Sequence, residues 1–286
     1  MSEQALALVL TAAVLHAVWN LAAKRVELDG VAFVWLYVVG SVVLWGPVAV
    51  VWVVVQGQRP SWSWVYAGAL TAVFHIVYQL VLQHGYGQGD LNLVYPLARG
   101  TGPLLTFVFA VAVLGERPDA VAVAGVFAVV AGILLISLGG PRGHGSRRAG
   151  VVWGVATGVA IAAYTLWDNH AVNALAVPPL PYFVVGLLLQ LPVMTLLLGR
   201  RRAMVPLVWR EARGPVLAVA VLSPMAYVLV LRAMQLAPVS LVAPARESSI
   251  VVGALLSWWL LKEPSAVRRL LGAVVVLIGI AGIVAG

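Results

Sequence analysis

Apolar residues run along this chain in long windows of about 20, the length at which a helix crosses a bilayer, and polar residues gather in the short gaps between them. Windows and breakers together predict ten helices. They lie at roughly 4–24, 31–55, 62–84, 91–114 and 119–138 in the first half, and roughly 150–170, 180–199, 215–236, 239–261 and 266–285 in the second. Between the halves, Gly139-Gly140-Pro141-Arg142-Gly143-His144-Gly145-Ser146-Arg147-Arg148 is polar and rich in breakers, the mark of a connecting segment over 139–149. Alternating segments of about 10 residues, the signature of a strand-built barrel, do not occur. The predicted fold class is therefore an all-α integral membrane protein with units at 1–138 and 150–286.

The two units resemble each other. Leu15-His16-Ala17-Val18-Trp19-Asn20 recurs as Ala163-Tyr164-Thr165-Leu166-Trp167-Asp168, and Tyr78-Gln79-Leu80-Val81-Leu82-Gln83 as Tyr227-Val228-Leu229-Val230-Leu231-Arg232. Arg99 to Glu116 has the same spacing as Arg246 to Glu263. Five spans per copy is an odd number, so the second copy must enter the membrane from the opposite side. That predicts an inverted repeat, with a pseudo-two-fold axis in the membrane plane and a binding site where the copies meet.

Charge refines the picture. Only 10% of residues are charged against 62% hydrophobic, which excludes an ordinary soluble domain. The formal net charge of +8 is carried mostly in the gaps and follows topology, not nucleic-acid binding. Odd-numbered loops hold Lys24, Arg25, Arg142, Arg147, Arg148, Arg200, Arg201, Arg202, Arg210, Arg213, Lys262, Arg268 and Arg269; even-numbered loops hold Arg59 and Arg117. The split supports an alternating topology with the odd loops cytoplasmic and both termini outside. Met1-Ser2-Glu3-Gln4 lacks the basic stretch of a signal peptide, so the first window is expected to stay as a transmembrane helix. With no cysteine in the chain, disulfides and thiolate metal sites are excluded.

A few polar residues lie deep inside the spans. His16 and Asn20 fall one turn apart on one face, about 40° apart. Arg99 lies roughly eight residues into its span, on the order of 12 Å deep, so His16, Asn20 and Arg99 are expected to converge. Arg246 and Asp168 occupy the matching positions in the second copy. A lipid-facing arginine at that depth is costly, so both should face the bundle interior. There each either attracts an anionic group such as a carboxylate or phosphate or is neutralised locally and pins helices, Arg246 by Glu247 or Asp168. Arg99 has no acid near it in sequence.

Asp168 and Glu247 are the leading candidates for carrying protons, with His16 and His75 as alternatives. His75, Gln79 and Gln83 make a polar stripe on the third span, beside Tyr78, that suits a cavity wall. Trp19 and Trp167 read equally as cavity wall or interfacial anchors. Glu116 and Glu263 are expected at helix ends, in structural roles. Pro96 and Pro244 are expected to disturb the helices next to the arginines. Enzyme motifs and metal-ligand spacings are missing, so no catalytic residue, cofactor or metal is expected.

The five-span unit with Pro96-Leu97-Ala98-Arg99 opening its fourth span and Leu114-Gly115-Glu116-Arg117-Pro118 closing it resembles the EamA domain of the drug/metabolite transporter superfamily. Pro244-Ala245-Arg246 through Leu261-Lys262-Glu263-Pro264 is similar to the matching end of a second such domain. The resemblance implies a multi-pass protein of the plasma or inner membrane, monomer or homodimer. It further implies alternating access and metabolite export, with both termini in the cytoplasm, opposite to the loop charges. The expected function is secondary transport of a small polar metabolite, an amino acid or other carboxylate- or phosphate-bearing solute, with proton coupling as an option. Substrate would meet Arg99, His16, Asn20, Trp19, Tyr78, Gln79, Tyr95, Trp167, Tyr227 and Arg246, while Asp168, Glu247 and His75 serve coupling. The alternatives are a flippase for a lipid-linked anion and a non-transporting membrane scaffold.

Overall fold

The computed structural model describes the main chain of residues 1–24, 26, 28–137, 146–261 and 266–285. Arg25, Arg142, His144, Lys262, Glu263 and Pro264, and most of the expected connecting segment, lie outside the described residues.

Helices follow the apolar windows to within a few residues. In the first half they are α1 (Glu3–Lys24), α2 (Gly30–Val55), α3 (Trp62–Gln88), α4 (Leu91–Ala112) and α5 (Ala120–Ser137). In the second half they are α6 (Arg147–Asn173), α7 (Pro179–Leu198), α8 (Val205–Met234), α9 (Val239–Arg246), α10 (Ser248–Leu261) and α11 (Ala266–Ala285). Side-chain oxygens mark several starts by accepting an orphan backbone N–H. Asp29 accepts from Ala32 at 2.9 Å, Asp119 from Ala122 at 2.8 Å and Ser146 from Ala149 at 3.3 Å. Among the described residues, seven helical stretches are long and apolar enough to cross a membrane, and parts of α5 and α11 form shorter apolar helices. The chain is a multi-pass membrane protein.

Two expectations about helix shape need correction. The span expected at 239–261 is broken into α9 and α10 at Glu247. There Glu247 N–H bonds Pro244 O at 3.0 Å and Ile250 N–H bonds Glu247 O at 2.9 Å, three-residue steps in place of four. Pro244 supplies no N–H to the ladder and crowds the carbonyl four residues back. Pro96 and Pro103, by contrast, lie inside an uninterrupted α4. The loop expected between the seventh and eighth spans is itself helical: Gly199–Met204 forms a 3-10 turn, and α8 starts at Val205 and kinks at Ala212.

Packing repeats when the halves are exchanged. Helix α1 lies on α8 as α3 lies on α6, α2 on α8 as α3 on α7, and α1 on α9 and α10 as α4 on α6. The pairs α5–α11 and α2–α7 map onto themselves. Within α5–α11 the backbones almost touch. A Cβ on Gly125 would come 2.5 Å from Gly279 O and one on Gly279 2.6 Å from Gly125 O; Gly132 and Gly272 oppose each other in the same way at 2.8 and 2.9 Å. Residue 125 facing 279 while 132 faces 272 makes the pair antiparallel. Only glycine fits such crossings, which replace hydrophobic burial as the glue between helices in lipid.

Helix ends and turns separate to two sides. At one, Asp29 pairs with Arg201 at 3.7 Å and Ser146 N–H bonds Gln88 O at 3.1 Å, gathering odd loops. At the other, Glu116 reaches the start of α9, and Asn173 bonds Met234 O at 3.0 Å, gathering even loops. Arg232, expected inside a span, sits exposed in the last turn of α8 and joins the even side, donating to Gln235 at 2.8 Å.

Candidate functional site

Where α4, α9 and α10 meet, two arginines from different halves share one carboxylate. Arg99 on α4 lies 3.4 Å from Glu247 through both Nε and Nη1, and Arg246 at the end of α9 lies 3.8 Å from the same group. Glu247 is 1% exposed, against 13% for Arg99 and 10% for Arg246, so this triad is held away from solvent. Arg99, which has no acid near it in sequence, is thus paired after all, by an acid 148 residues away. Glu247, expected beside Arg246 alone, serves both.

Each arginine also meets an aromatic ring from the first helix of its own half. His16 Nε2 on α1 is 3.3 Å from Arg99 Nη2, and Tyr164 Oη on α6 is 3.4 Å from Arg246 Nη2. These are equivalent positions of the repeat. Tyr95 lies under the Arg99 guanidinium at 5.7 Å, within the range of a cation–π contact, though the ring itself is exposed.

A second polar cluster lies against the first. Asp168 on α6 is fully buried. Its Oδ1 accepts from Thr71 on α3 at 2.7 Å and from Tyr182 on α7 at 2.5 Å; its Oδ2 accepts from the Tyr227 hydroxyl on α8. His75, one turn along α3 from Thr71, places Nδ1 3.1 Å from Thr71 Oγ1 and 2.9 Å from Thr71 O. The imidazole stacks on Tyr164 at 4.5 Å and meets Tyr227 edge-on at 5.6 Å. Tyr164 therefore links the clusters, touching Arg246 with its hydroxyl and His75 with its ring.

The remaining sequence candidates divide. Tyr78 packs edge-on against Tyr164 at 5.6 Å and belongs to the site wall. Gln79 is half-buried and Gln83 exposed. Asn20 does not converge with His16 and Arg99: it is exposed, and its amide bonds its own helix at His16 O, 2.7 Å away. Trp19 meets His16 edge-on at 4.7 Å, and its indole N–H is buried without a hydrogen-bond partner. Trp167 donates to Ala67 O at 3.1 Å and lines a cavity of ≈ 980 Å³ on the even-loop side, with Phe74, Glu116, His170, Asn173 and Gln235. This cavity does not reach the arginines; Trp167 alone of the expected substrate residues belongs to it. The charged clusters, which carry the chemistry of the interface, are the better candidate site.

Thr71 and Tyr182 were not singled out by sequence. Thr71 lies one helical turn before His75, a spacing that signals a shared face; Tyr182, behind Pro178 and Pro181, carries no such mark. Glu116 has the structural role expected of it through an unexpected partner: its carboxylate accepts the N–H groups of Val239 and Ser240, each at 3.0 Å, at the start of α9.

Comparison with known proteins agrees with this architecture. A solved structure described as "Crystal structure of protein" superposes with a TM-score of 0.74 at 19% identity, covering 99% of this chain and 96% of that one. That likeness concerns the fold. No curated protein matches the sequence. The family model for the "EamA-like transporter family" matches twice, at residues 4–138 and 148–285, and the chain belongs to that family.

Proposed function

We propose that the chain is a secondary transporter, not an enzyme, which moves a small polar metabolite bearing a carboxylate or phosphate by alternating access. Membership of a transporter family implies a small-molecule substrate; its anionic character is our reading of the site. One observation carries that reading: cations from both halves, Arg99 and Arg246, converge on one buried carboxylate at the repeat interface. Buried arginines in a membrane protein are expensive and persist where they meet a partner or a passing solute. Both contacts to Glu247 are long compared with the 2.7–2.9 Å of a tight charged hydrogen bond. Guanidinium N–H groups are thereby left for a substrate oxygen.

In this reading the chain crosses the plasma or inner membrane ten times. The stretch Pro179–Met234 contains two crossings, α7 and α8, and the shorter α5 and α11 complete the count. Antiparallel packing of the equivalent helices α5 and α11 supports a two-fold axis perpendicular to them, hence inverted repeats. The two halves then rock about the arginines, opening the site to each side in turn.

Counterflow of radiolabelled amino acids, monocarboxylates and organic phosphates in proteoliposomes tests the function. Saturable exchange by the wild type, lost in Arg99→Ala, is expected. Normal exchange by Arg99→Ala would remove the arginines from substrate binding.

A further inference from the structure

Four charged side chains are held inside the bundle, Asp168 and Glu247 buried completely and Arg99 and Arg246 nearly so. Hydrogen-bond chemistry settles the neighbouring histidines. Arginine only donates, so His16 Nε2, 3.3 Å from Arg99, must accept, which makes His16 a neutral imidazole. A backbone carbonyl only accepts, so His75 Nδ1, 2.9 Å from Thr71 O, carries a proton. With His75 neutral, two guanidinium groups face two carboxylates among the described residues, and their charges cancel.

A monoanion entering beside Arg99 would upset that balance by one negative charge. Uncompensated charge inside a bilayer costs several kcal/mol. The arginines cannot release a proton to mend it, and Glu247 is held between them. Asp168 is the free partner in this arithmetic. Among the described residues no cation bonds it; three hydroxyls do, from α3, α7 and α8. Hydroxyls can turn and accept as well as donate, so Thr71, Tyr182 and Tyr227 can receive a protonated Asp168 as readily as an ionised one. The titratable and charged groups around it are His75 on α3 through Thr71, Tyr182 on α7, Tyr227 on α8, Tyr164 on α6 and, beyond Tyr164, Arg246 on α9.

We propose that one proton on Asp168 accompanies each substrate monoanion, so that the protein catalyses electroneutral one-to-one symport of a proton and a monocarboxylate. The inference rests on the transport reading above and adds its stoichiometry, direction of coupling and substrate charge. The empty site returns with Asp168 ionised; the loaded site crosses with Asp168 protonated and the carboxylate on the arginines. Both forms are neutral. A zwitterion such as alanine brings no net charge and calls for no proton.

The test is protein-dependent uptake into proteoliposomes of radiolabelled monocarboxylates from acetate to benzoate, and of alanine. Protein-free vesicles are subtracted to remove passive entry of undissociated acid. With the potential clamped by valinomycin and equal potassium, an outside-acid gradient of about two pH units should concentrate the monocarboxylate up to about 100-fold, one decade per unit for one proton. A potassium-diffusion potential without a pH gradient should concentrate nothing. Asp168→Asn reverses both results. Its empty site keeps one positive charge and its loaded site none, so uptake should ignore the pH gradient and follow an inside-positive potential.

Potential-driven uptake by the wild type, concentration of alanine by the pH gradient, or a pH drive surviving in Asp168→Asn would overturn the symport. So would loss of pH drive in His75→Gln with the drive intact in Asp168→Asn, which would move the proton to His75. Counterflow that ignores pH sinks this inference alone. Absence of any protein-dependent flux removes the transport reading and this one with it.

Discussion

Glu116 closes a distance of 123 residues to cap a helix in the other half, and removing it should be felt in stability before function. Helix α9 is eight residues long and preceded by Pro238. Of its first backbone donors, Leu241 and Val242 both bond Pro238 O at 3.1 Å. Those of Val239 and Ser240 go to the two oxygens of Glu116, at 3.0 Å each. Glu116→Ala leaves both N–H groups orphaned. Each such loss costs about 1–3 kcal/mol, but the adjoining cavity, lined by Glu116 and Val239, admits water to replace the carboxylate. The low end therefore applies, about 2–3 kcal/mol in all, or a Tm lowered by about 4–10 °C in a chain of this size. Glu116→Gln keeps one carbonyl acceptor and should lose about half as much. Tryptophan fluorescence during thermal unfolding in detergent measures both. A Glu116→Ala Tm within about 1 °C of wild type would refute the capping argument, and equal losses in the two variants would assign the effect to charge alone.

Two further outcomes follow from the packing and from the triad. A Cβ at Gly132 would lie 2.6 Å from Val276 Cγ2 and 2.8 Å from Gly272 O and Val276 N, backbone that cannot yield, so Gly132→Leu should abolish monodisperse folded protein on size exclusion. The control is Gly100→Ala, where the nearest neighbour is Leu134 Cδ2 at 3.6 Å; it should elute and unfold like wild type. In the triad, Glu247→Ala should be the most damaging single change, by about 3–5 kcal/mol, because it leaves two buried guanidinium groups facing each other. Arg99→Ala should cost less, since Glu247 keeps Arg246, and a double-mutant cycle on unfolding should return a coupling of about 0.5–3 kcal/mol. A coupling near zero would mean that the 3.4 Å contacts carry no energy.

How much of this was legible in the sequence depends on the kind of information asked for. Helix ends are local: an apolar window of bilayer length bounded by Asp29, Asp119 or Ser146 declares its own limits, and these agree with the structure to a few residues. The arginines were also within reach. Placed on the order of 12 Å deep from the opposite faces expected of them, in a core about 30 Å thick, both were expected to approach the midplane as two flanking half-sites; the structure brings both to one carboxylate. That shared partner was not within reach. Glu247 stands next to Arg246 in sequence, and only the break between α9 and α10 turns it towards α4 as well. Pro244 hinted at that break, yet Pro96, three residues before Arg99, leaves α4 whole, so proline content alone does not separate a broken span from an intact one.

The repeat itself explains both what was foreseen and what was missed. Exchanging the halves preserves which helix touches which, so His16 on Arg99 and Tyr164 on Arg246 hold equivalent places although the side chains differ. It does not preserve what a substituted side chain does once there. Asn20 and Asp168 are also equivalent, yet Asn20 folds back onto His16 O while Asp168 collects three hydroxyls from α3, α7 and α8. An amide can satisfy itself on its own helix; a carboxylate, having no donor to offer the backbone, must be met by donors from elsewhere. In a bilayer those donors come only from neighbouring helices, and Thr71, Tyr182 and Tyr227 are where they are found. Asymmetry of charge at one equivalent position is thus what recruits the second cluster, and it makes the two copies of one unit unequal partners around the arginines.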